Sequence, residues 1–412
     1  MNPRRVVITG LGCVTSLGQD VEPVWQAVRE GRSGIKPITK FDTTDYTTKI
    51  GGEVSDWAGG KHLAPREAKR LDRFAQFAVN AAIDAVAHAG LDFEKEDPWR
   101  CGAIIGSGVG GIEELAAGHL TLIEKGPDRV SPFMVPKLMC NAGSGNVSIR
   151  FGLKGPNSAP TSACASAAHA IGEAAEAIRH NVADVMITGG SEAALTPIGL
   201  ASFIALKALS KRNDDPTHAS RPWDEDRDGF LLSEGAGILV VEEYEHAKAR
   251  GANVLAEVIG WGQSADGYHI TAPDEAGRGA AEAMKLALND AHINPDDIDY
   301  INAHGTSTGL GDLAEARAVK RVFGNPADAP PVSSTKSTTG HLLGASGGIE
   351  TILCALALRD SVIPPTANLE KPSEECDLDF VPQTAREAPL NTVISNSFGF
   401  GGHNVCLVLK KV

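Results

Sequence analysis

The chain has 412 residues, 42% hydrophobic and 22% charged, with a formal net charge of −14 at pH 7. That balance is ordinary for a globular protein of two or three domains or one duplicated unit, and the negative charge argues against nucleic acid as a partner. No apolar run reaches the length of a membrane span, and seven cysteines, odd in number and without a C-x-x-C pair, argue against a disulfide framework or a zinc site.

The N-terminus reads Met1-Asn-Pro-Arg-Arg-Val-Val-Ile-Thr-Gly-Leu-Gly. Its apolar patch is too short for a signal peptide and predicts a first strand over 5–9. A cytoplasmic protein is expected, or an organellar one already stripped of its transit segment. Further strands are predicted at 101–106, 185–188 and 237–242, with helices between them, the one over 165–179 being buried. In the second half, strands are predicted at 256–260, 298–302, 332–334, 392–395 and 405–409, and helices at 279–291, 312–323 and 347–358. This alternation predicts an α/β fold with a largely parallel sheet covered on both faces. The halves show no strong self-similarity. Their boundary is expected near Gly251-Ala-Asn, giving halves of 1–251 and 252–412.

Cys164 lies in Pro160-Thr-Ser-Ala-Cys-Ala-Ser-Ala-Ala-His, where a proline-bearing segment gives way to an alanine-rich run. Alanine favours helix, so the cysteine falls near a helix N-terminus, where unpaired N–H groups favour a thiolate. A lone cysteine reads first as core filling; its company changes that reading. His304 follows a short apolar strand in Asp299-Tyr-Ile-Asn-Ala-His-Gly-Thr-Ser-Thr-Gly. His341 lies in Ser333-Ser-Thr-Lys-Ser-Thr-Thr-Gly-His-Leu-Leu-Gly. Both stand among glycines and small hydroxyl residues, which suit loops that admit a substrate close to the backbone. Near the C-terminus, Ile394-Ser-Asn-Ser-Phe-Gly-Phe-Gly-Gly-His-Asn reads as a strand entering a glycine-rich turn. Such a turn either connects a hairpin or aims an N–H at an oxyanion, or both. The other six cysteines read mostly as buried reduced thiols, and His62, His88, His119, His180, His218, His246 and His292 as surface or core residues.

Taken in order, Val6-Val-Ile-Thr-Gly-Leu-Gly, Thr161 to Ser166, Ser220-Arg-Pro-Trp-Asp to Arg227-Asp-Gly-Phe, Asn302-Ala-His-Gly-Thr-Ser-Thr, Ser334-Thr-Lys-Ser-Thr-Thr-Gly-His and Asn396-Ser-Phe-Gly-Phe-Gly-Gly span the chain. Together they resemble the β-ketoacyl-[acyl-carrier-protein] synthases, most closely the elongating enzymes of type II fatty-acid synthesis. The resemblance implies a thiolase-like duplicated αβαβα five-layer sandwich. It implies an acyltransferase that joins a Cys164-bound acyl group to malonyl-carrier with loss of CO₂. It implies a homodimer and an acyl carrier protein as partner. No metal or redox cofactor is expected, because the phosphopantetheine arrives on the carrier. A thiolase would carry a second cysteine in the late glycine loop, an initiating synthase an asparagine at position 341, and a non-catalytic chain-length subunit no nucleophile. A polyketide ketosynthase of the same superfamily would share the triad. Threonine is common in the family where His403 stands.

The resemblance also assigns roles. Cys164 is the nucleophile, and His304 and His341 are hydrogen-bond donors to the enolate. Lys336 gives electrostatic support with Glu350 as partner. The N–H groups of Cys164 and Phe400 form an oxyanion hole. Thr306 and Thr308 suit the amides of the pantetheine arm, Val109 and Phe203 the acyl pocket. Phe398 and Phe400 flank Gly399 at the substrate site, and Phe400 forms a gate to the acyl pocket, against which the loop from Asp266 to Thr271 packs. Acyl carrier proteins are acidic, so a −14 protein needs a local basic patch to receive one. Arg66, Lys69 and Arg70 match the family's docking positions. Lys61, Lys125, Arg129, Lys207, Lys211 and Arg212 are the other candidates.

Overall fold

The computed structural model describes residues 4–412. In the first half five strands pair: β1 (Val6–Val14), β2 (Cys101–Gly106), β3 (Asn157–Ser158), β4 (Val185–Glu192) and β5 (Gly235–Glu243). The second half supplies β6 (Ala256–Ala265), β7 (Tyr300–Asn302), β8 (Val332–Ser333), β9 (Thr392–Gly399) and β10 (His403–Lys410). Across the sheet the first five run β3-β2-β4-β5-β1, and the second five run β8-β7-β9-β10-β6. Numbered within each half, both orders are 3-2-4-5-1. In each, the fifth strand is antiparallel to both neighbours and the remaining pairs are parallel. The two orders are one motif used twice. The expectation of a largely parallel sheet is corrected: the fifth strand of each half reverses, because β9 turns straight back into β10 and β5 returns from a long connection.

The halves meet at a short antiparallel joint, Val7 opposite Glu257 and Ile8 opposite Ala256. Beside it Arg5 grips Glu257 with two hydrogen bonds, at 2.9 and 2.6 Å. Six helices build the layers, with α2 outside them: α1 (Arg73–Ala89), α2 (Ile112–Lys125), α3 (Ala142–Phe151), α4 (Ser166–Arg179), α5 (Arg278–Ala291), α6 (Gly309–Phe323) and α7 (Ser346–Asp360). Helices α1 and α3 cover the outer face of the first sheet. Helix α5, flanked by α6, covers the outer face of the second, and α4 and α7 pack between the sheets. That is the five-layer sandwich.

Close backbone approach builds the outer layers. Gly10 and Gly12 in β1 lie on α1, where an added Cβ would fall 2.1 Å from the Ala85 oxygen and 2.0 Å from the Ala81 oxygen. Gly260 and Gly262 in β6 lie on α5, where the distances are 2.6 Å to the Ala287 oxygen and 2.3 Å to the Ala283 oxygen. Alanine on the helix and glycine on the strand bring both backbones together. The two halves use the same device with the same spacing. Helix α1 is fixed at its start by Asp72, which accepts from Phe74 N, and stopped by Gly90 in the left-handed region. Strands β4, β5 and the centre of β10 are continuously buried, as strands covered on both faces must be.

A charged network closes the end of β5. His246 Nδ1 lies 2.9 Å from Glu242 and Nε2 2.9 Å from Glu96, while Arg250 Nε donates to Glu242 at 2.8 Å. Burial alone would push Glu242 up; hydrogen bonds from Arg250, His246 and Thr9 overcome it and hold the carboxyl down at about 2. The hydrogen bond to Glu242, with Glu96 adding to it, raises His246 from 6.5 to about 9. Because the folded value is the higher one, the pair's stabilisation is full below 6.5 and is lost as pH rises to 9. The melting temperature of the wild type should therefore fall between pH 7 and 9, and His246→Gln should flatten that fall. An unchanged slope in the variant would show that other groups set it.

Candidate active site

The two central helices bring the catalytic segments together. Cys164 sits in a 3-10 turn, Ala163–Ala165, that leads directly into α4. A second such turn, Leu343–Ala345, leads into α7, and His341 stands just before it. His341 is held by backbone bonds to the segment just ahead of β5: its N–H donates to the Leu231 oxygen at 2.8 Å and its oxygen accepts from Ser233 N at 3.0 Å. His304 follows β7, and its loop is fixed by Glu315 of α6, which accepts from His304 N at 2.9 Å and Gly305 N at 2.7 Å.

The result is a compact triad. Cys164 Sγ lies 3.0 Å from His341 Nε2. The ligand atoms of Cys164, His304 and His341 all lie within 4.8 Å of one another. The imidazoles stand edge to face, centroids 5.3 Å apart, and Phe230 packs edge-on against His341. His341 Nδ1 meets Ser346 Oγ at 2.9 Å, while His304 Nδ1 has no protein partner. Lys336, fully buried, is bonded to Glu350.

Electrostatics define what these groups can do. Burial first, then the Lys336 charge, hold both imidazoles well below the usual imidazole range. Both are neutral near pH 7 and each keeps one N–H to donate. Burial pushes the Cys164 thiol up to about 12, against the pull of Lys336 and the Phe400 N–H. The thiolate expected from the helix N-terminus is not the resting form, because desolvation outweighs those favourable terms. The thiol has instead a neutral imidazole nitrogen in contact to take its proton.

A cavity of about 480 Å³ opens onto the triad. Thr306 and Thr308 line it, with hydroxyls 3.0 Å apart. Phe203, Phe398, Phe400, Asp266 and Thr271 also line it, as does Lys207. Asp266 joins two loops: it accepts from Asn404 Nδ2 at 2.8 Å and from Asp274 N at 3.0 Å, and its N–H donates to the Gly402 oxygen at 2.9 Å. Gly399, next to Phe400, packs on the Cys164 amide, where a Cβ would fall 3.1 Å from it. Val109 does not line this cavity and is 39% exposed. Lys336 and Glu350 lie behind the histidines rather than in the cavity wall.

Arg66, Lys69, Arg70, Lys125, Arg129 and Lys207 are all exposed. Among the described residues none has a carboxylate within ion-pair distance. Arg70 lies over the Phe133 ring at 5.9 Å, which places the 66–70 cluster beside the segment carrying Arg129. Lys61, in contrast, is engaged by Asp20. Glu315, Ser346 and Phe230 were not found from the sequence. Phe230 ends one of the motifs noted above; the other two gave no signal beyond being polar residues on helical stretches.

Two family descriptions match: "Beta-ketoacyl synthase, N-terminal domain" over residues 3–247 and "Beta-ketoacyl synthase, C-terminal domain" over residues 255–370. The chain is 52% identical over 412 residues to a 3-oxoacyl-[acyl-carrier-protein] synthase 2 of Coxiella burnetii, covering 100% of both chains. It superposes on the crystal structure of a beta-ketoacyl synthase from Burkholderia phymatum with a TM-score of 0.92 at 37% identity, covering 99% of this chain and 100% of that one. It also matches a type II polyketide ketosynthase solved with its acyl-carrier protein, with a TM-score of 0.91 at 34% identity over 100% of both chains. The chain belongs to the beta-ketoacyl synthase family.

Proposed function

We propose that this protein elongates acyl chains by decarboxylative Claisen condensation on an acyl carrier protein. The carrying observation is Cys164 Sγ 3.0 Å from a neutral His341, with His304 completing the triad beside a cavity, in a chain of this family. The half 1–251 supplies the nucleophile and 252–412 both histidines. In the first step the Cys164 thiol gives its proton to His341 and its sulfur attacks the acyl thioester carbonyl. The tetrahedral oxyanion is stabilised by the N–H groups of Cys164 and Phe400. The carrier thiolate leaves and takes the proton. Malonyl-carrier then binds, the amides of its arm against Thr306 and Thr308, and loses CO₂. The electron pair of the broken C–C bond forms an enolate, whose oxygen accepts from His304 and, once its remaining proton has moved from Nδ1 to Nε2, from His341. The enolate carbon attacks the acyl-Cys164 carbonyl and the Cys164 thiolate leaves, giving 3-oxoacyl-carrier and, after protonation, free enzyme. No step calls for a metal or redox cofactor. A cytoplasmic location goes with this reading, and no helix among the described residues is long and apolar enough to cross a membrane.

Two surfaces complete the proposal. The edge strand β3 is exposed, and the neighbouring stretch from α2 to Met139 presents Ile123 at 68% and Val135 at 62% exposure, with Phe133 and Met139 beside them. An open sheet edge next to exposed apolar side chains suits a second copy of the chain. The carrier docks on the unpaired cations at 66–70, 125 and 129, with Lys207 at the cavity mouth.

Cys164→Ala should abolish condensation and retain malonyl decarboxylation, measured as CO₂ release. His304→Ala should slow decarboxylation on the order of 10²–10³-fold and acylation of Cys164 much less. Loss of acylation with intact decarboxylation in that variant would reverse the assigned roles. Changing Arg66, Lys69 and Arg70 together to Glu should raise KM for acyl-carrier several-fold and leave turnover of a small pantetheine thioester unchanged. Equal impairment of both substrates would instead make the cluster a support of the fold. Sedimentation should give a dimer at micromolar concentration, and a stable monomer would contradict the proposed interface.

A further inference from the structure

Glu192 ends β4, is fully buried, and has no part in the chemistry above. Its Oε2 accepts from Gly108 N at 2.7 Å and Gly344 N at 3.1 Å. Its Oε1 accepts from Ser107 Oγ at 3.0 Å and Val109 N at 3.2 Å. All four partners donate, so the ionised carboxylate, which only accepts, fits all four at once. Burial pushes the group up to about 7, and the four hydrogen bonds work against that rise.

The surroundings are shaped to admit this carboxylate. A Cβ at Gly108 would fall 2.8 Å from Oε2, and one at Gly344 would fall 2.7 Å from it. The Gly344 Cβ would also lie 2.3 Å from Gly108 N, so the two turns touch through their backbones. The 107–110 turn in turn abuts the nucleophile: a Gly108 Cβ would lie 3.3 Å from the Ala163 oxygen. Gly344 belongs to the turn between His341 and Ser346, whose hydroxyl meets His341 Nδ1. One buried carboxylate thus ties the turn beneath Cys164 to the turn that carries His341.

We propose that Glu192 is a positioning residue for the Cys164–His341 pair, its carboxylate fixing the two turns in one frame so that Sγ and Nε2 meet at proton-transfer distance. The inference rests on the condensing role given to this site. Proton transfer from sulfur to nitrogen depends steeply on alignment, and a displacement near 1 Å costs on the order of 10²-fold. The enolate, in contrast, is held by two histidines, and His304 is fixed independently by Glu315. Loss of the clamp should therefore slow acylation more than decarboxylation.

The test compares single-turnover acylation of Cys164 with malonyl decarboxylation in Glu192→Gln, both normalised to folded protein. The amide turns at least one donor toward donors. Acylation should fall about tenfold or more with KM for the acyl thioester unchanged, and decarboxylation should stay within about threefold. Equal loss of both rates would show that Glu192 supports only the fold and would overturn the inference. If Glu192→Gln does not fold, Ser107→Ala removes a single donor from Oε1. It should slow acylation about threefold at unchanged decarboxylation, and unchanged acylation would overturn the inference. Absence of condensation in the wild type would instead strike the functional reading itself.

Discussion

Two helices buried between two sheets set the geometry on which everything else depends. Helices α4 and α7 are packed on both sides, so their first turns cannot shift independently. Each helix is entered through the same turn: Ala163-Cys164-Ala165-Ser166 for one and Leu343-Gly344-Ala345-Ser346 for the other. Both turns begin with a non-glycine residue in the left-handed region, Ala163 at φ 50° and Leu343 at φ 48°. Such a conformation costs about 1–3 kcal/mol and persists only where packing enforces it. The repeated turn carries the nucleophile once. In the other copy the matching position is Gly344, and a histidine stands just ahead of it. Duplication of one fold thus yields two unlike halves of one site.

Burial then sets the chemistry. A thiol pushed up to about 12 is inert to water, yet it touches a neutral imidazole that can accept its proton. Burial, with the Lys336 charge adding to it, keeps both histidines neutral, and Glu350 pairs with Lys336. A neutral imidazole accepts a proton in one half-reaction and donates a hydrogen bond in the other. A protonated one would do only the second. Removing either partner of a buried ion pair strands the other and typically costs about 3–5 kcal/mol, so this pair is tied to the fold as well as to the site. The overall charge of −14 has a separate consequence. It makes the exposed, unpaired cations at 66–70, 125, 129 and 207 the places where an acidic protein meets least repulsion.

Much of this was legible in the sequence. The strands expected at 101–106, 185–188 and 237–242 are largely apolar runs, and the structure buries them on two faces. Cys164, His304 and His341 announced themselves by their small, polar neighbours. The duplication did not, because its signal is carried by a few small residues rather than by similar strings. Gly10 and Gly12 against Ala81 and Ala85 repeat as Gly260 and Gly262 against Ala283 and Ala287. Only the contact shows that these alanines and glycines face each other. Glu192 and Glu315 escaped notice for a related reason. A carboxylate on a strand or helix reads as a solvated charge unless one knows which distant backbone N–H groups it faces. Val109 was expected in the acyl pocket, and it is not among the residues that line this cavity.

The central claim is that burial and Lys336 keep both histidines neutral, so that His341 can take the Cys164 proton and both can then donate to the enolate. The most direct test is a ¹⁵N chemical-shift titration of His304 and His341 in the intact protein, assigned with single-histidine variants, from pH 5 to 8. Both imidazoles should remain neutral across that range. Protonation of either one with a midpoint near the ordinary value of about 6.5 would contradict it.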